Sequence, residues 1–166
     1  MLKKSVILTM AVVIGLVLPS STSAQELPTG EHGGRFGVGF QGSWPAYGIS
    51  AIAKLNKQFA LQGVVGTFGI MESSFFARGI YRFSPKTASF GWHNFYGYGS
   101  VGAFTYKLLD VRETVPGFGA GVGFEAYLEL LPQMGWTVEV GFSVVNFDLD
   151  YSFSFIALGL GAHYYF

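Results

Sequence analysis

Residues 117–128 read GFGAGVGFEAYL, and two kinds of side chain alternate along this stretch. The even positions from Phe118 to Phe124 are apolar, whereas the odd positions carry glycine, then Glu125 and Tyr127. Successive side chains of a β-strand point to opposite faces, so a period of two predicts a strand. One face of this strand is apolar, and the other is small or charged.

The same period recurs along the chain, with turn residues between the segments. Eight segments are predicted, at residues 35–42, 47–55, 59–68, 74–83, 95–106, 117–128, 136–145 and 152–166. The fifth is the least clear, because both of its faces carry glycine and apolar residues. Segments of about ten residues have the length that a tilted strand needs to cross the hydrocarbon layer of a membrane.

Turn residues predict where these segments end. A polar turn is expected at residues 56–58 and another at Pro132. Residues 84–87 and 146–151 are predicted as loops, and residues 107–116 as the most polar loop of the chain.

The composition is unusual for a soluble domain. Only 12 % of the residues are charged, 17 % are aromatic, 24 are glycine, and the mean hydropathy is +0.40. Soluble domains carry about 25 % charged residues. The chain has no cysteine, so a disulfide framework and a thiolate metal site are both excluded. Beyond the N-terminus no apolar run is long enough for a transmembrane helix.

The N-terminus has the layout of a secretory signal peptide. Lys3 and Lys4 precede an apolar run at residues 6–18, and small residues lead to Ala24. We predict a signal peptide at residues 1–24 that is cleaved after Ala24, a linker at 25–34 and a barrel domain at 35–166. An uncleaved anchor is the alternative. Residues 25–166 contain eight basic and ten acidic side chains, which gives no polybasic surface for nucleic acid or anionic lipid.

Charged residues inside the segments indicate which face turns inward. Arg78 and Arg82 are four residues apart and share a face of one strand. Glu125 and Glu139 are equally far from Pro132, so a hairpin that turns there places them roughly opposite each other. An arginine on the lipid face costs about 2–4 kcal/mol near the midplane. We therefore predict a polar cluster in the lumen made of Arg78, Arg82, Glu125 and Glu139, with Lys54 and Gln62 as extensions.

Two interpretations of this cluster are open. It forms the polar core of a filled barrel, or its carboxylates serve acid–base chemistry or an ion path. Eight strands leave room only for side chains, and no nucleophile accompanies the cluster, which favours the first. His32, His93 and His163 are expected at the periplasmic rim, and their spacing is not that of a metal site. We predict no catalytic residue, metal or cofactor.

The stretches RFGVGF, FFARGIYRF, GFGAGVGFEAYL and ALGLGAHYYF resemble the eight-stranded outer-membrane barrels, the OmpA/OmpX-like family of Gram-negative envelopes. The resemblance covers residues 35–166. It implies an all-β fold, an eight-stranded antiparallel up-and-down transmembrane β-barrel. It also implies a monomer in the outer membrane, with membrane lipid, periplasmic chaperones and the barrel-assembly machinery as partners. In this family that machinery reads the last strand, whose matching positions here are Leu160, Ala162, Tyr164 and Phe166.

Four functions are compatible with such a barrel. The first is a non-enzymatic structural or surface-interaction role in the cell envelope, which we expect. The second is a narrow pore or conduit for small apolar solutes. A lipid-modifying enzyme is disfavoured, because no histidine and serine pair is expected at the outer rim. A soluble binder of the lipocalin type would need the polar and apolar faces to be exchanged.

Overall fold

The computed structural model describes residues 34–43, 46–68, 71–83, 86–88, 91–108, 111–148 and 151–166. The predicted signal peptide and nearly all of the linker lie outside these residues. The described residues form β1 (Phe36–Ser43), β2 (Ala46–Lys54), β3 (Phe59–Phe68), β4 (Met71–Arg82), β5 (Lys86–Ala88), β6 (Gly91–Leu108), β7 (Val111–Leu128), β8 (Leu131–Asp148) and β9 (Tyr151–Tyr165).

These strands form one closed antiparallel sheet. The order of neighbours is β4-β3-β2-β1-β9-β8-β7-β6-β5, and additional pairing between β4 and β6 closes the ring. The three residues of β5 pair with the beginning of β6, and β4 pairs with the rest of it. Because β4 and β5 together occupy one position, the result is an eight-stranded up-and-down barrel. Within the described ranges, no helix is long and apolar enough to cross a membrane.

Two ends of the barrel are distinguished below. The near end carries Phe36, Phe166 and the turn at Glu129 and Leu130. The far end is where β6 stops at Leu108 and β7 starts at Val111.

The alternation in the sequence becomes a difference between the two surfaces of the sheet. Outward-facing apolar side chains are widely exposed, with Ile49 at 77 % and Ile156 at 74 %. Inward-facing polar side chains are buried, as for Arg78 at 5 % and Glu139 at 3 %. The barrel therefore has an apolar exterior, and its buried charged side chains lie in the interior.

The predicted loop at residues 107–116 is wrong. Strand β6 continues to Leu108 and β7 begins at Val111, with Lys107 opposite Arg112. The polar residues belong to a hairpin in which cross-strand pairs satisfy each other. The hydroxyl of Thr105 lies 3.0 Å from that of Thr114. Polar residues in a strand beyond the apolar band therefore resembled a loop in the sequence.

Pro116, the last residue of the predicted loop, does not interrupt its strand. Pro116 lies within β7 opposite Ala103, and the β7–β8 ladder ends at Gly117 and Val145. Pro116 thus lies one residue outside the β7–β8 ladder, a position at which a strand tolerates proline. The predicted loops at 84–87 and 146–151 are shorter than expected as well, because β5 includes Lys86 and Thr87 and β8 continues to Asp148.

Two turns test the prediction of hairpin positions. The turn at residues 56–58 is confirmed, because Asn56 Oδ1 accepts hydrogen bonds from the backbone N–H groups of Gln58 and Phe59 at 2.8 Å. The turn at Pro132 is wrong, because the chain turns at Glu129 and Leu130 and Pro132 already lies in β8.

Candidate functional site: the barrel interior

Glycines on the inward face make room for the large side chains that fill the barrel. A Cβ atom added at Gly123 would collide with the ring of Tyr96. One added at Gly135 would lie within 3.2 Å of Tyr165, Glu125 and Tyr127. Glycine at these inward positions therefore leaves the space into which aromatic and charged side chains pack.

The first charged pair crosses the middle of the barrel. Arg78 Nη2 on β4 lies 2.8 Å from Glu139 Oε2 on β8, and both side chains are almost fully buried. Glu139 also accepts hydrogen bonds from the hydroxyl of Tyr96 at 2.6 Å and from that of Ser43 at 3.0 Å. This carboxylate is thus held by one cation and two hydroxyl donors.

The arginine of this pair is held on its other sides as well. Arg78 Nη1 donates to Gln62 Oε1 at 3.0 Å, and its guanidinium lies 4.0 Å from the ring centroid of Tyr98. Gln62 continues the network, because its Nε2 lies 2.8 Å from Ser50 Oγ and 3.2 Å from His163 Nε2. The network therefore links β2, β3, β4 and β9 through side chains alone.

The second charged pair lies nearer the near end. Arg82 Nε is 3.3 Å from Glu125 Oε2, and the hydroxyl of Tyr165 donates to Glu125 Oε1 at 2.6 Å. The ammonium of Lys54 lies 4.1 Å from the ring centroid of Tyr165 and 5.5 Å from that of Tyr127. Buried cations are stable only when paired in this manner.

All six predicted cluster residues point inward, and they gather into these two pairs and their neighbours. The prediction placed Glu125 and Glu139 roughly opposite each other, and the structure offsets them by two residues in register. Glu125 lies opposite Thr137, and Glu139 lies opposite Gly123. Since the chain turns at Glu129 and Leu130 and the register shifts beside that turn, the two carboxylates are offset along the barrel and each meets its own arginine.

His163 was expected at the rim and lies inside the barrel. Its side chain is only 1 % exposed, and Nε2 is 2.9 Å from Ser50 Oγ. His93 is found at the beginning of β6 near the near end, and His32 lies outside the described residues. Within the described part of the chain, no three His, Cys, Asp or Glu side chains are grouped so as to hold a metal ion.

Sequence reasoning missed the aromatic part of the interior. Tyr96, Tyr98, Tyr127 and Tyr165 belong to one buried cluster, two of them as hydroxyl donors to carboxylates. The inward parity of Tyr127 and Tyr165 was visible in their segments. The parity of Tyr96 and Tyr98 was not, because the segment around them has apolar residues on both faces.

Toward the far end the interior changes from charged to apolar. Phe104, Val115 and Val145 are buried together, with Phe76 packed against them. The rings of Phe76 and Phe104 meet edge to face with centroids 4.7 Å apart. An apolar layer thus covers the charged layer inside the barrel.

Little free space remains between these side chains. One small cavity adjoins Arg82 and His163, and another adjoins Arg78 and Phe76. Each has room for only a water molecule or two. Where the described residues line these two cavities, side chains therefore fill the interior.

The four predicted assembly-signal residues lie on the outside of the last strand. Leu160, Tyr164 and Phe166 are exposed, and Ala162 is half-buried. The backbone of Phe166 exchanges two hydrogen bonds with that of Phe36, of 2.8 and 3.2 Å. The last residue of the sequence thus pairs with the first residue of β1 where the barrel closes.

No protein-family model and no curated protein sequence matches the chain. Among solved structures, the N-terminal β-barrel domain of Pseudomonas aeruginosa OprF superposes with a TM-score of 0.54 at 14 % sequence identity. The match covers 81 % of this chain and 99 % of that domain. Neisserial surface protein A (NspA) matches at 18 % identity and a TM-score of 0.46, covering 79 % of this chain and 93 % of its own. The chain thus shares the barrel fold of the OprF domain.

Proposed function

We propose that this chain is an integral outer-membrane protein whose filled barrel serves a structural or surface-interaction role in the cell envelope. The observation that carries the proposal is the assignment of the two faces. Apolar side chains cover the outside, and the ion pairs of Arg78 and Arg82 lie inside. A soluble barrel would bury its apolar face and expose its charges, so the faces count against a lipocalin-type binder.

The dimensions of the apolar exterior support the membrane assignment. On β9 and at the residue after it, the outward positions from Ile156 to Phe166 are exposed and apolar or aromatic, except for the half-buried Ala162. Ten steps of about 3.3 Å at a tilt of about 40° give a height of about 25 Å, which is that of the apolar band of outer-membrane barrels. Exposed aromatic side chains at the near end, including Tyr81, Trp136 and Tyr164, suit a membrane interface.

Export and assembly complete the proposal. Residues 1–24 direct export and are cleaved after Ala24, and both ends of the barrel domain then lie on the periplasmic side. The outward positions Leu160, Ala162, Tyr164 and Phe166 are the signal that the assembly machinery reads, after periplasmic chaperones have delivered the chain. The protein is a monomer surrounded by outer-membrane lipid, and the far end faces outward.

The filled interior counts against a pore. Two ion pairs and an apolar layer follow each other along the barrel axis, and each would have to move before an ion could pass. We therefore expect no stable conductance steps from the purified protein in a planar lipid bilayer. Reproducible conductance steps would contradict the filled barrel and show that the interior conducts ions. No catalytic role is proposed either, because the buried carboxylates Glu125 and Glu139 each pair with an arginine.

The experiment for the membrane assignment is extraction followed by gel electrophoresis. We expect the folded protein to require detergent and to migrate faster on a gel when unheated than when boiled. Boiling unfolds the barrel, whereas the compact folded form resists the cold detergent. A folded protein that stays in solution without detergent would contradict the proposal.

A further inference from the structure

Two buried nitrogen atoms on the strands that close the barrel have no partner within the described residues. Gln41 on β1 and His163 on β9 are 2 % and 1 % exposed, and the pairing of these two strands joins the beginning of the barrel to its end. Neither Gln41 Nε2 nor His163 Nδ1 has a hydrogen bond to any described residue. A buried polar atom without a hydrogen bond is costly, so both atoms indicate a ligand between them.

The hydrogen bonds around Gln62 determine where His163 carries its proton. Arg78 Nη1 lies 3.0 Å from Gln62 Oε1, and because a guanidinium only donates, this end of the amide is the oxygen. The other end, Nε2, lies 3.2 Å from His163 Nε2 and can only donate. His163 Nε2 is therefore an acceptor, also for the hydroxyl of Ser50 at 2.9 Å. The imidazole is neutral, and its one proton makes Nδ1 a buried donor.

The cavity beside Arg82 and His163 brings this donor together with other polar atoms that lack a hydrogen bond. Its lining includes Gln41, Glu125 and Thr137, and it has room for about one water molecule. Thr137 Oγ1 donates to Gln41 Oε1 at 3.2 Å, so the nitrogen of this amide is the atom left for a ligand. Glu125 Oε2 also accepts no hydrogen bond from a described residue, although it lies 3.3 Å from Arg82 Nε. Donors and an acceptor thus line the same small space.

The charges around this cavity favour a neutral ligand. An anion would meet the carboxylate of Glu125, and a cation would meet the guanidinium of Arg82. A water molecule can accept hydrogen bonds from two N–H groups and donate one to a carboxylate oxygen. Buried waters make about three hydrogen bonds to buried polar groups, which is the number of partners that the cavity offers.

We propose that His163, Gln41 and Glu125 bind an internal water molecule at the seam where β1 and β9 close the barrel. The water accepts hydrogen bonds from His163 Nδ1 and Gln41 Nε2, and it donates one to Glu125 Oε2. It joins β1, β7 and β9 through the interior, beside the backbone ladder of the seam. The site depends only on interior contacts, so it is independent of the membrane assignment.

The test is nuclear magnetic resonance of the folded, isotope-labelled protein in detergent micelles. Long-range correlations between ring protons and ring nitrogens show which nitrogen of a histidine is protonated, and sequential assignment identifies His163. We expect a proton on Nδ1 and none on Nε2 at neutral pH. Cross-relaxation with water should reach the Nδ1 proton, because a bound internal water stays beside it.

Two variants test the two parts of the proposal separately. Gln62→Glu replaces the amide donor by an acceptor of the same shape, so Nε2 of His163 should become protonated. Gln41→Leu removes one donor to the water, so the Nδ1 proton should lose most of its cross-relaxation with water and stay on Nδ1. The matched control is Gln58→Leu, which changes an exposed glutamine in a turn and should keep the wild-type spectrum of His163.

Each outcome decides one part. A wild-type His163 protonated on Nε2 would overturn the tautomer and the site with it. A Nδ1 proton without cross-relaxation to water, or an equal loss in Gln41→Leu and Gln58→Leu, would overturn the bound water. A shift of the Nδ1 proton when gluconate replaces chloride in the buffer would assign the cavity to an anion instead.

Folding of the variants is checked by heat-modifiable migration. If Gln41→Leu does not fold, the wild-type spectra still decide both the tautomer and the water contact, because neither measurement needs a variant.

Discussion

Arg78 and Glu139 meet at 2.8 Å inside the barrel, although their strands β4 and β8 are not neighbours in the sheet. The contact therefore crosses the interior and braces opposite walls. Both side chains are almost fully buried. Each charge is therefore stabilised by the other and by the hydroxyl and amide groups around the pair, not by water.

Removing the acid of this pair should be costly. In Glu139→Ala the charge of Arg78 stays buried and the hydroxyl of Tyr96 loses its acceptor, so the free energy of unfolding should fall by about 3–5 kcal/mol. Urea unfolding of the refolded protein in lipid vesicles measures this change. Glu113→Ala removes an exposed carboxylate that also accepts a tyrosine hydroxyl, and it should cost less than about 1 kcal/mol. Equal losses in the two variants would contradict the account.

The two faces of the sheet should respond differently to the same substitution. Gly123 points inward, and a methyl group there would collide with the ring of Tyr96. Gly123→Ala should therefore destabilise the barrel by about 1–3 kcal/mol through overpacking. Gly99 points outward and has no atom within 4 Å of an added Cβ, so Gly99→Ala should change stability by less than about 0.5 kcal/mol. The reverse order in a urea titration would mean that the faces are assigned wrongly.

Deletion of Phe166 should separate assembly from stability. Its side chain is 64 % exposed, and its removal from a folded barrel costs two backbone hydrogen bonds with Phe36. We expect the deletion to reduce the folded, heat-modifiable fraction in cell membranes about tenfold or more. Two lost bonds of roughly 1 kcal/mol each would leave a barrel of ordinary stability almost entirely folded, so a loss of this size reports failed recognition during assembly. In vitro refolding should be affected much less.

The control for this deletion is Phe83→Ala. Phe83 is another exposed aromatic residue outside the last strand. It should leave assembly in cells near the wild-type level. If both variants assemble normally, the assembly-signal proposal fails and the barrel itself is unaffected.

The sequence was sufficient to predict which face of each clear strand is apolar and how many strand positions the barrel has. In the clearest segment, Phe118 and Val122 alternate with glycine, and this alternation predicts a strand with one apolar face. Arg78 and Arg82 share a face of another strand, and the cost of placing arginine in lipid predicts that this face turns inward. The strand lengths were underestimated for a physical reason. Thr105 and Lys107 continue a strand beyond the apolar band, where polar side chains are tolerated and the pattern that reveals a strand is lost.

The pairing of the interior charges could not be predicted either. Which arginine meets which glutamate depends on register across the barrel, and a turn at Glu129 and Leu130 instead of Pro132 is enough to shift it. His163 illustrates the same limit. Its inward parity was evident, whereas its neighbours Ser50 and Gln62 come from strands more than a hundred residues earlier in the chain.

The most direct measurement of the central claim is whether outward side chains contact lipid. Trp136 points outward and is 46 % exposed, whereas Trp92 packs against the buried tyrosine cluster. The variants W44F/W92F and W44F/W136F each keep one of these two tryptophans, and their fluorescence can be followed in vesicles of lipid with brominated acyl chains. We expect strong quenching of Trp136 by these lipids and weak quenching of Trp92. The membrane barrel would be contradicted if brominated chains did not quench the fluorescence of Trp136 and aqueous acrylamide did.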